Sequence, residues 1–295
     1  MKIIRTRDDL QAYSDQQRAA GRRIALVPTM GALHAGHLSL VAIGQQHADE
    51  VWLSLFLNPT QFNNPSDFDA YPSTEERDLE LCREAGVAVV WMPSVGEVYP
   101  DGAQTWVEVR DLSQPLCGRA RAGHFLGVST VVSKLFLAAK PHFAIFGEKD
   151  FQQLAIIKRM VKDMGFDLQI IGGPTIREAD GLALSSRNVN LSVAARTQAL
   201  AIVRALDLAE RMASSGDERC EAVVAAVREQ IEQASLATID YVEVCDPNTL
   251  ETIVGVIRRP TLLAIAVYFR AQEDDASDTP VRLIDNRVLL RNDDN

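Results

Sequence analysis

The first 175 or so residues alternate between short apolar segments and helical stretches. That alternation restricts the chain to a parallel sheet flanked by helices. Strands are predicted at 24–27, 51–57, 87–92, 142–146 and 168–171. Each is apolar and mostly β-branched or aromatic-containing, as a strand buried on both faces must be. Ser73, Thr74, Glu75 and Glu76 have capping-box spacing and open a helix that runs to about Ala85. A helix over 127–139 is stopped by Lys140 and Pro141, and one over 150–164 by Gly165. Asp150 suits the N-cap of the latter, with Gln153 at its N3 position. The expected fold class is α/β: a Rossmann-like, doubly wound parallel sheet over residues 1–175, with ligands at the C-terminal ends of its strands.

Beyond residue 175 the pattern changes. A polar loop over 177–190 precedes helical stretches at 192–213 and 218–234, then strands at 240–245, 262–270 and 281–284. Helices followed by strands predict a smaller α+β domain over 176–295. Segment 271–279 reads as an acidic exposed loop and 292–295 as a frayed tail. The formal net charge of -10 argues against generic nucleic-acid binding. No apolar run approaches the roughly 20 residues of a membrane span. The N-terminus lacks the apolar core of a signal peptide, so a cytoplasmic protein with no membrane contact is expected. Cys82, Cys117, Cys220 and Cys245 form no C-x-x-C pair and are expected to be buried free thiols.

The chemistry concentrates in a few short segments. Strand 24–27 runs through Pro28, Thr29, Met30 and Gly31 into His34-Ala35-Gly36-His37. A strand, a glycine-containing turn and a helix start place phosphate at a helix N-terminus. The two histidines then stand where a nucleotide triphosphate lies, which points to attack at its α-phosphate. A zinc half-site and plain surface histidines are the alternatives, although no glutamate lies between the pair as in a metalloprotease helix. Gly147-Glu148-Lys149-Asp150 follows another strand, and Lys149 can neutralise charge developing on phosphate. Its plain reading is a solvated lysine beside a helix cap. Leu184-Ser185-Ser186-Arg187-Asn188 offers two hydroxyls and a guanidinium to a triphosphate, or is an ordinary turn-rich loop. Asn58 and Gln61 follow strand 51–57 and can hold hydroxyls and carboxylates without adding charge, or merely end the strand. Arg119, Arg121 and His124 form a basic loop that either orients an anion or is solvated. Asp78, inside a predicted helix, reads on its own as a surface acid.

Taken in order, these segments resemble the pantothenate synthetase, or pantoate–β-alanine ligase, family. The matching stretches are 27–37 (VPTMGALHAGH), 58–62 (NPTQF), 123–125 (GHF), 127–135 (GVSTVVSKL), 146–154 (FGEKDFQQL), 180–188 (DGLALSSRN) and 282–286 (RLIDN). They span nearly the whole chain. H-x-G-H alone admits any member of the wider nucleotidyltransferase and class I aminoacyl-tRNA synthetase superfamily; the GEKDFQQ and LSSRN segments narrow it. A plain nucleotidyltransferase and a nucleotide-sensing module on the same fold are the competing readings.

The resemblance implies two steps. Pantoate attacks the α-phosphate of ATP to give pantoyl adenylate and pyrophosphate, and β-alanine then displaces AMP to give pantothenate. It implies magnesium, a homodimer and a C-terminal domain that closes over the nucleotide. It assigns ATP contacts to Met30, Gly31, Ala32, Leu33, His34, Ala35, Gly36 and His37, with His37 in the proton-donor role. Further ATP contacts fall on Gly147, Glu148, Lys149 and Asp150, on the Ile176 backbone, and on Leu184, Ser185, Ser186 and Arg187. The catalytic set is His34, His37, Lys149 and Arg187. Gln61 and Gln153 hold pantoate, with Asn58 beside them, and Asp78 contacts magnesium. The chain departs from the family at Ser73 and Ala122, where arginine and proline are common.

Overall fold

The computed structural model describes residues 1–63, 68, 71, 74–214, 218–272 and 279–290. Two compact units emerge: Met1–Glu148 with Gln152–Thr175, and Lys149–Phe151 with Ile176–Asn295.

The first unit is built on six strands: β1 (Lys2–Ile4), β2 (Ile24–Thr29), β3 (Glu50–Leu55), β4 (Val89–Trp91), β5 (Phe143–Gly147) and β6 (Gln169–Gly173). They lie in the order β1-β4-β3-β2-β5-β6, and every neighbouring pair is parallel. The five strands predicted from apolar runs are all present, with ends moved by no more than two residues. β1 escaped that reading because it is a three-residue edge strand with only Ile4 buried, too short to carry a pattern. Helices α1 (Arg7–Ala19), α2 (Ala35–His47), α3 (Glu75–Glu84), α4 (His124–Ala139) and α5 (Phe151–Met164) accompany the sheet. α3 starts at Glu75 from Thr74, which makes no side-chain cap bond; Ser73, the expected first member of its capping box, lies outside the described residues. Lys140 (φ 44°) and Gly165 (φ 66°) adopt the left-handed conformation at the ends of α4 and α5, where the sequence places the stops.

Ala25, Val27, Leu53, Val90 and Ile145 are all buried and pack with Leu40 and Val41 of α2. Full burial of each large aliphatic side chain contributes about 1.5–3 kcal/mol. The strand order reverses between β2 and β5. These two strands pair only at Ala25–Phe143 and Leu26–Ala144, and Pro28, with no N–H to give, lies beyond the pairing. Such a reversal leaves a crevice outside the carboxyl ends of the strands. The loops carrying His34 and Lys149 leave those two ends.

The second unit is α+β. Strands β7 (Ala237–Cys245), β8 (Thr261–Phe269) and β9 (Val281–Leu289) form an antiparallel sheet in the order β7-β8-β9. Helices α6 (Val193–Gln198), α7 (Leu200–Ala213) and α8 (Cys220–Glu232) complete it. α7 buries Ala201, Ile202, Ala205, Leu206, Ala209 and Ala213, one stripe at helical spacing. That stripe joins a core with Val223 and Val227 of α8 and Leu263, Ile265 and Val267 of β8. β9 runs five residues past its predicted end, because Asp285, Asn286 and Arg287 interrupt the apolar pattern without interrupting the ladder. Most of the acidic segment (273–278) and the tail (292–295) lie outside the described residues. All four cysteines are free and buried, as expected. Burial, with the Asp78 charge added, pushes the Cys82 thiol up to about 11, and burial pushes Cys245 up to about 12.

Candidate active site

The H-A-G-H segment forms the N-terminus of α2. His34 is the N-cap, and its Nδ1 accepts from the Gly36 N–H at 3.1 Å. His37, at N3, reciprocates: its Nδ1 accepts from the His34 N–H at 3.3 Å. The imidazoles lie with centroids 4.1 Å apart. An accepting Nδ1 fixes the neutral tautomer with its proton on Nε2. The two rings are thereby set as Nε2–H donors at a helix N-terminus, where backbone N–H groups and the helix dipole already favour an anion. No zinc half-site is needed to explain the pair.

The turn before the histidines is strained and clamped. Gly31 (φ 91°) and Ala32 (φ 51°) are both left-handed, and for Ala32 that costs about 1–2 kcal/mol. Asp78 holds the turn. Its Oδ2 accepts from the Ala32 N–H and its Oδ1 from the Leu33 N–H, both at 2.8 Å. The residue is 2% exposed. Asp78 is therefore not the surface acid that its place in a helix suggests; its two oxygens accept from the backbone of the motif loop. A Cβ at position 31 would come within 3.1 Å of Asp78 Oδ2, so glycine is required there on two counts.

The N-P-T-Q-F segment is a 3-10 turn, Pro59–Gln61, capped by Asn58. Asn58 is 1% exposed. Its Oδ1 accepts from Thr60 Oγ1 and Tyr99 Oη, both at 2.9 Å, and its Nδ2 donates to Gln61 Oε1 at 3.1 Å and Gly127 O at 3.3 Å. Asn58 is thus a buried support for Gln61. Gln61 is half-buried, with its Nε2 3.0 Å from Met30 Sδ. Its carbonyl accepts from His124 Nδ1 at 2.8 Å and Arg121 Nη2 at 3.2 Å. The basic loop thereby takes its structural reading at Arg121 and His124. Gln152, not singled out from the sequence, is buried and holds the preceding loop through Cys117 N, Leu112 O and Pro115 O. Gln153 beside it is half-buried. Tyr99 was also missed; burial raises its phenol, which stays a donor to Asn58.

In the second unit, Lys149 sits in the 3-10 turn Glu148–Asp150, with Nζ 4.0 Å from Asp150 Oδ2 and its side chain 17% exposed. Asp150 is exposed. Ser185 caps the turn Ser186–Asn190 by accepting from the Arg187 N–H at 3.3 Å. The Leu184 N–H donates to Ile176 O at 2.9 Å, which closes the loop at its base. The Arg187 guanidinium has no ion pair or side-chain hydrogen bond among the described residues. Two features that the sequence did not flag hold this loop. Arg177 makes a bidentate pair with Asp285 at 2.7 and 3.1 Å, and Arg196 bridges Glu178 and Asp180 at 2.7 and 2.8 Å. Asn188 Nδ2 donates to Glu178 Oε1 at 2.8 Å.

Known proteins share this architecture. The family model described as pantoate-beta-alanine ligase matches residues 2–288. A pantothenate synthetase of Desulfatibacillum aliphaticivorans is 48% identical, over 98% of this chain and 99% of its own length. One from Acetivibrio thermocellus is 46% identical over the same shares. The crystal structure of a Thermus thermophilus pantothenate synthetase superposes with a TM-score of 0.89 at 38% identity, covering 98% of this chain and 99% of that one. A Francisella tularensis pantoate-beta-alanine ligase, solved with β,γ-ATP and β-alanine, gives a TM-score of 0.74 at 31% identity, covering 98% and 97%. With the motif loops in place at the strand ends and the match running the length of the chain, this protein belongs to the pantoate–β-alanine ligase family.

Proposed function

We propose that the chain joins pantoate to β-alanine at the expense of ATP, through pantoyl adenylate, with the loops described above as its catalytic parts. The observation that supports this best is the reciprocal cap of His34 and His37, which sets two Nε2–H donors at the mouth of the β2–β5 crevice.

A carboxylate is already a nucleophile, so the first step needs no general base. It needs charge neutralised as negative charge builds on the α-phosphate. His34, His37, Lys149 and Arg187 are assigned that task, with Met30 to His37, Gly147 to Asp150 and Leu184 to Arg187 lining the triphosphate and the Ile176 backbone meeting adenine. Gln61 and Gln153 hold pantoate in line for attack. In the second step the neutral amine of β-alanine attacks the acyl carbon, the C–O bond to AMP breaks, and the amine loses a proton. Gln61 can orient that amine without protonating it. Acyl adenylates hydrolyse, so water must be kept out, and the C-terminal unit is assigned the part of a lid. Magnesium is expected to accompany ATP on its phosphates. Among the described residues no group of three His, Cys, Asp or Glu is placed to hold a metal by itself, and Asp78 is committed to the loop backbone, so the ion is assigned to the nucleotide it arrives with. The working form is proposed to be a cytoplasmic homodimer of the 32.5 kDa chain, which light scattering of the purified protein tests. No described helix is long and apolar enough to cross a membrane.

The decisive experiment is ATP–pyrophosphate exchange with Mg²⁺ and no β-alanine. Exchange that requires pantoate supports the adenylate half-reaction. Binding of ATP without exchange overturns it and favours a nucleotide sensor.

A further inference from the structure

The R-L-I-D-N segment matches the family, yet no substrate role falls on it. It lies in β9, paired with β8 at Ile265–Asp285 and Ala264–Asn286. β8 is almost wholly buried and forms the floor of the second unit's core. From this rigid base two adjacent side chains reach two different loops. Asn286 Nδ2 donates to the backbone carbonyl of Lys149 at 2.9 Å. Asp285, 3% exposed, receives both nitrogens of Arg177 and also the Asn286 N–H at 2.8 Å. Arg177 in turn donates to Gly181 O at 3.0 Å and pairs across the loop base with Ala183. Lys149, Ser185, Asn188 and Asp285 face one small cavity of about 10 Å³.

We propose that Asn286, braced by Asp285, is a positioning residue that aims Lys149. The carbonyl of residue 149 sits in a single 3-10 turn, which has no long hydrogen-bonded ladder to fix it. Turning that peptide turns the Cα–Cβ bond of Lys149 and sweeps its ammonium through several ångströms. A donor held by a sheet strand removes that freedom. This explains why a polar Asp-Asn pair interrupts an apolar strand.

The inference rests on Lys149 acting at the α-phosphate, and the test separates the two ideas. Pantoate-dependent pyrophosphate exchange at saturating ATP is measured for Asn286→Ala, Lys149→Ala and the double variant. Misplacing a catalytic group by about 1 Å can cost on the order of 10²-fold. Asn286→Ala is expected to slow exchange about tenfold, with the ATP KM changed less than about twofold, since Lys149 is displaced rather than removed. In the Lys149→Ala background the same change is expected to cost less than about twofold, because residues acting as one unit are not additive. Equal losses in both backgrounds overturn the positioning role. A Lys149→Ala variant with normal exchange overturns the reading of Lys149 itself. Asn286→Asp keeps the size of the side chain and removes the donor. It is expected to match Asn286→Ala even where the alanine variant folds poorly, and wild-type exchange in Asn286→Asp also overturns the proposal.

Discussion

The two units hold the loops proposed to meet phosphate by different physics. In the first, one buried carboxylate grips two backbone N–H groups: Asp78 takes Ala32 and Leu33, and the two histidines together cap the start of α2. In the second, the loop hangs from side-chain ion pairs, Arg177 with Asp285 and Arg196 with Glu178 and Asp180. A carboxylate sharing its charge with backbone N–H groups in a dry site is short-ranged and barely screened. The Arg196 pairs are partly open to solvent and weaken with salt, whereas the Asp285 end of the Arg177–Asp285 pair is buried. The first arrangement suits a rigid cradle, and the second anchors the base of its loop firmly while leaving the Arg196 contacts releasable.

That contrast orders the expected effects. Lys149→Ala should be the most damaging, lowering turnover by roughly 10²–10³, as when a transition-state donor is removed. A folded variant with near-normal kcat ends its catalytic role. His37→Ala and Arg187→Ala should follow closely. They test the two units against each other, since the histidine is fixed by a cap and the arginine by none. His37→Ala also frees the His34 N–H, so the helix start should loosen by about 1 kcal/mol, seen in urea melts. Arg187→Ala should leave stability untouched and weaken ATP binding. Asp78→Asn comes next. The amide keeps one acceptor but turns a donor toward a backbone N–H, so stability should fall by about 1–3 kcal/mol. Hydrogen exchange should show Ala32 and Leu33 opening ahead of the sheet. Uniform loss of protection across β2 and β3 would mean that Asp78 supports the whole unit and not the turn. Gly127→Ala tests the pantoate side of the same rigid unit. A Cβ there would fall 2.5 Å from Thr60 O, so the 3-10 turn bearing Gln61 must shift. Overpacking of this kind costs about 1–3 kcal/mol, and the KM for pantoate should rise while that for ATP holds.

Five of the first unit's six strands, and the placing of three loops at strand ends, were legible because burial on both faces writes itself as uninterrupted apolar runs. β1 was not, being too short, and the end of β9 was not, because Asp285 is buried only by virtue of Arg177, which lies 108 residues away along the chain. The same blindness governs the site. His34, His37 and Lys149 announce themselves by type and spacing. Asp78, Asn58, Tyr99 and Asn286 act through partners remote in sequence, so their residue types alone suggest surface acids, substrate amides or nothing. Asp78 and Asn58, at 2% and 1% exposed, bond to the loops that carry the candidate residues, a placement that no local pattern announces.

The smallest effect expected is also the one that bears most directly on the contrast between the units. Arg196 is only partly shielded, and its partner Asp180 is largely open, so removing it should shift the melting temperature by a few degrees at most. Desolvation works to raise the Asp180 carboxyl, but the Arg196 hydrogen bond, joined by the Leu182 N–H, outweighs it and holds the group below its usual range. A lowered carboxylate contributes its stability in full above the unfolded value and loses it as pH falls through the folded one. Two handles therefore act on one contact. The difference between wild type and Arg196→Ala should shrink as salt rises toward 1 M, where screening reaches about 3 Å. It should shrink again at acid pH, while the Asp78→Asn difference persists in salt. A difference for Arg196→Ala that is indifferent to salt would place the residue's value in packing of its aliphatic stem. The second unit's loop would then be held as firmly as the first's, and the distinction between a fixed cradle and a releasable clamp would fail.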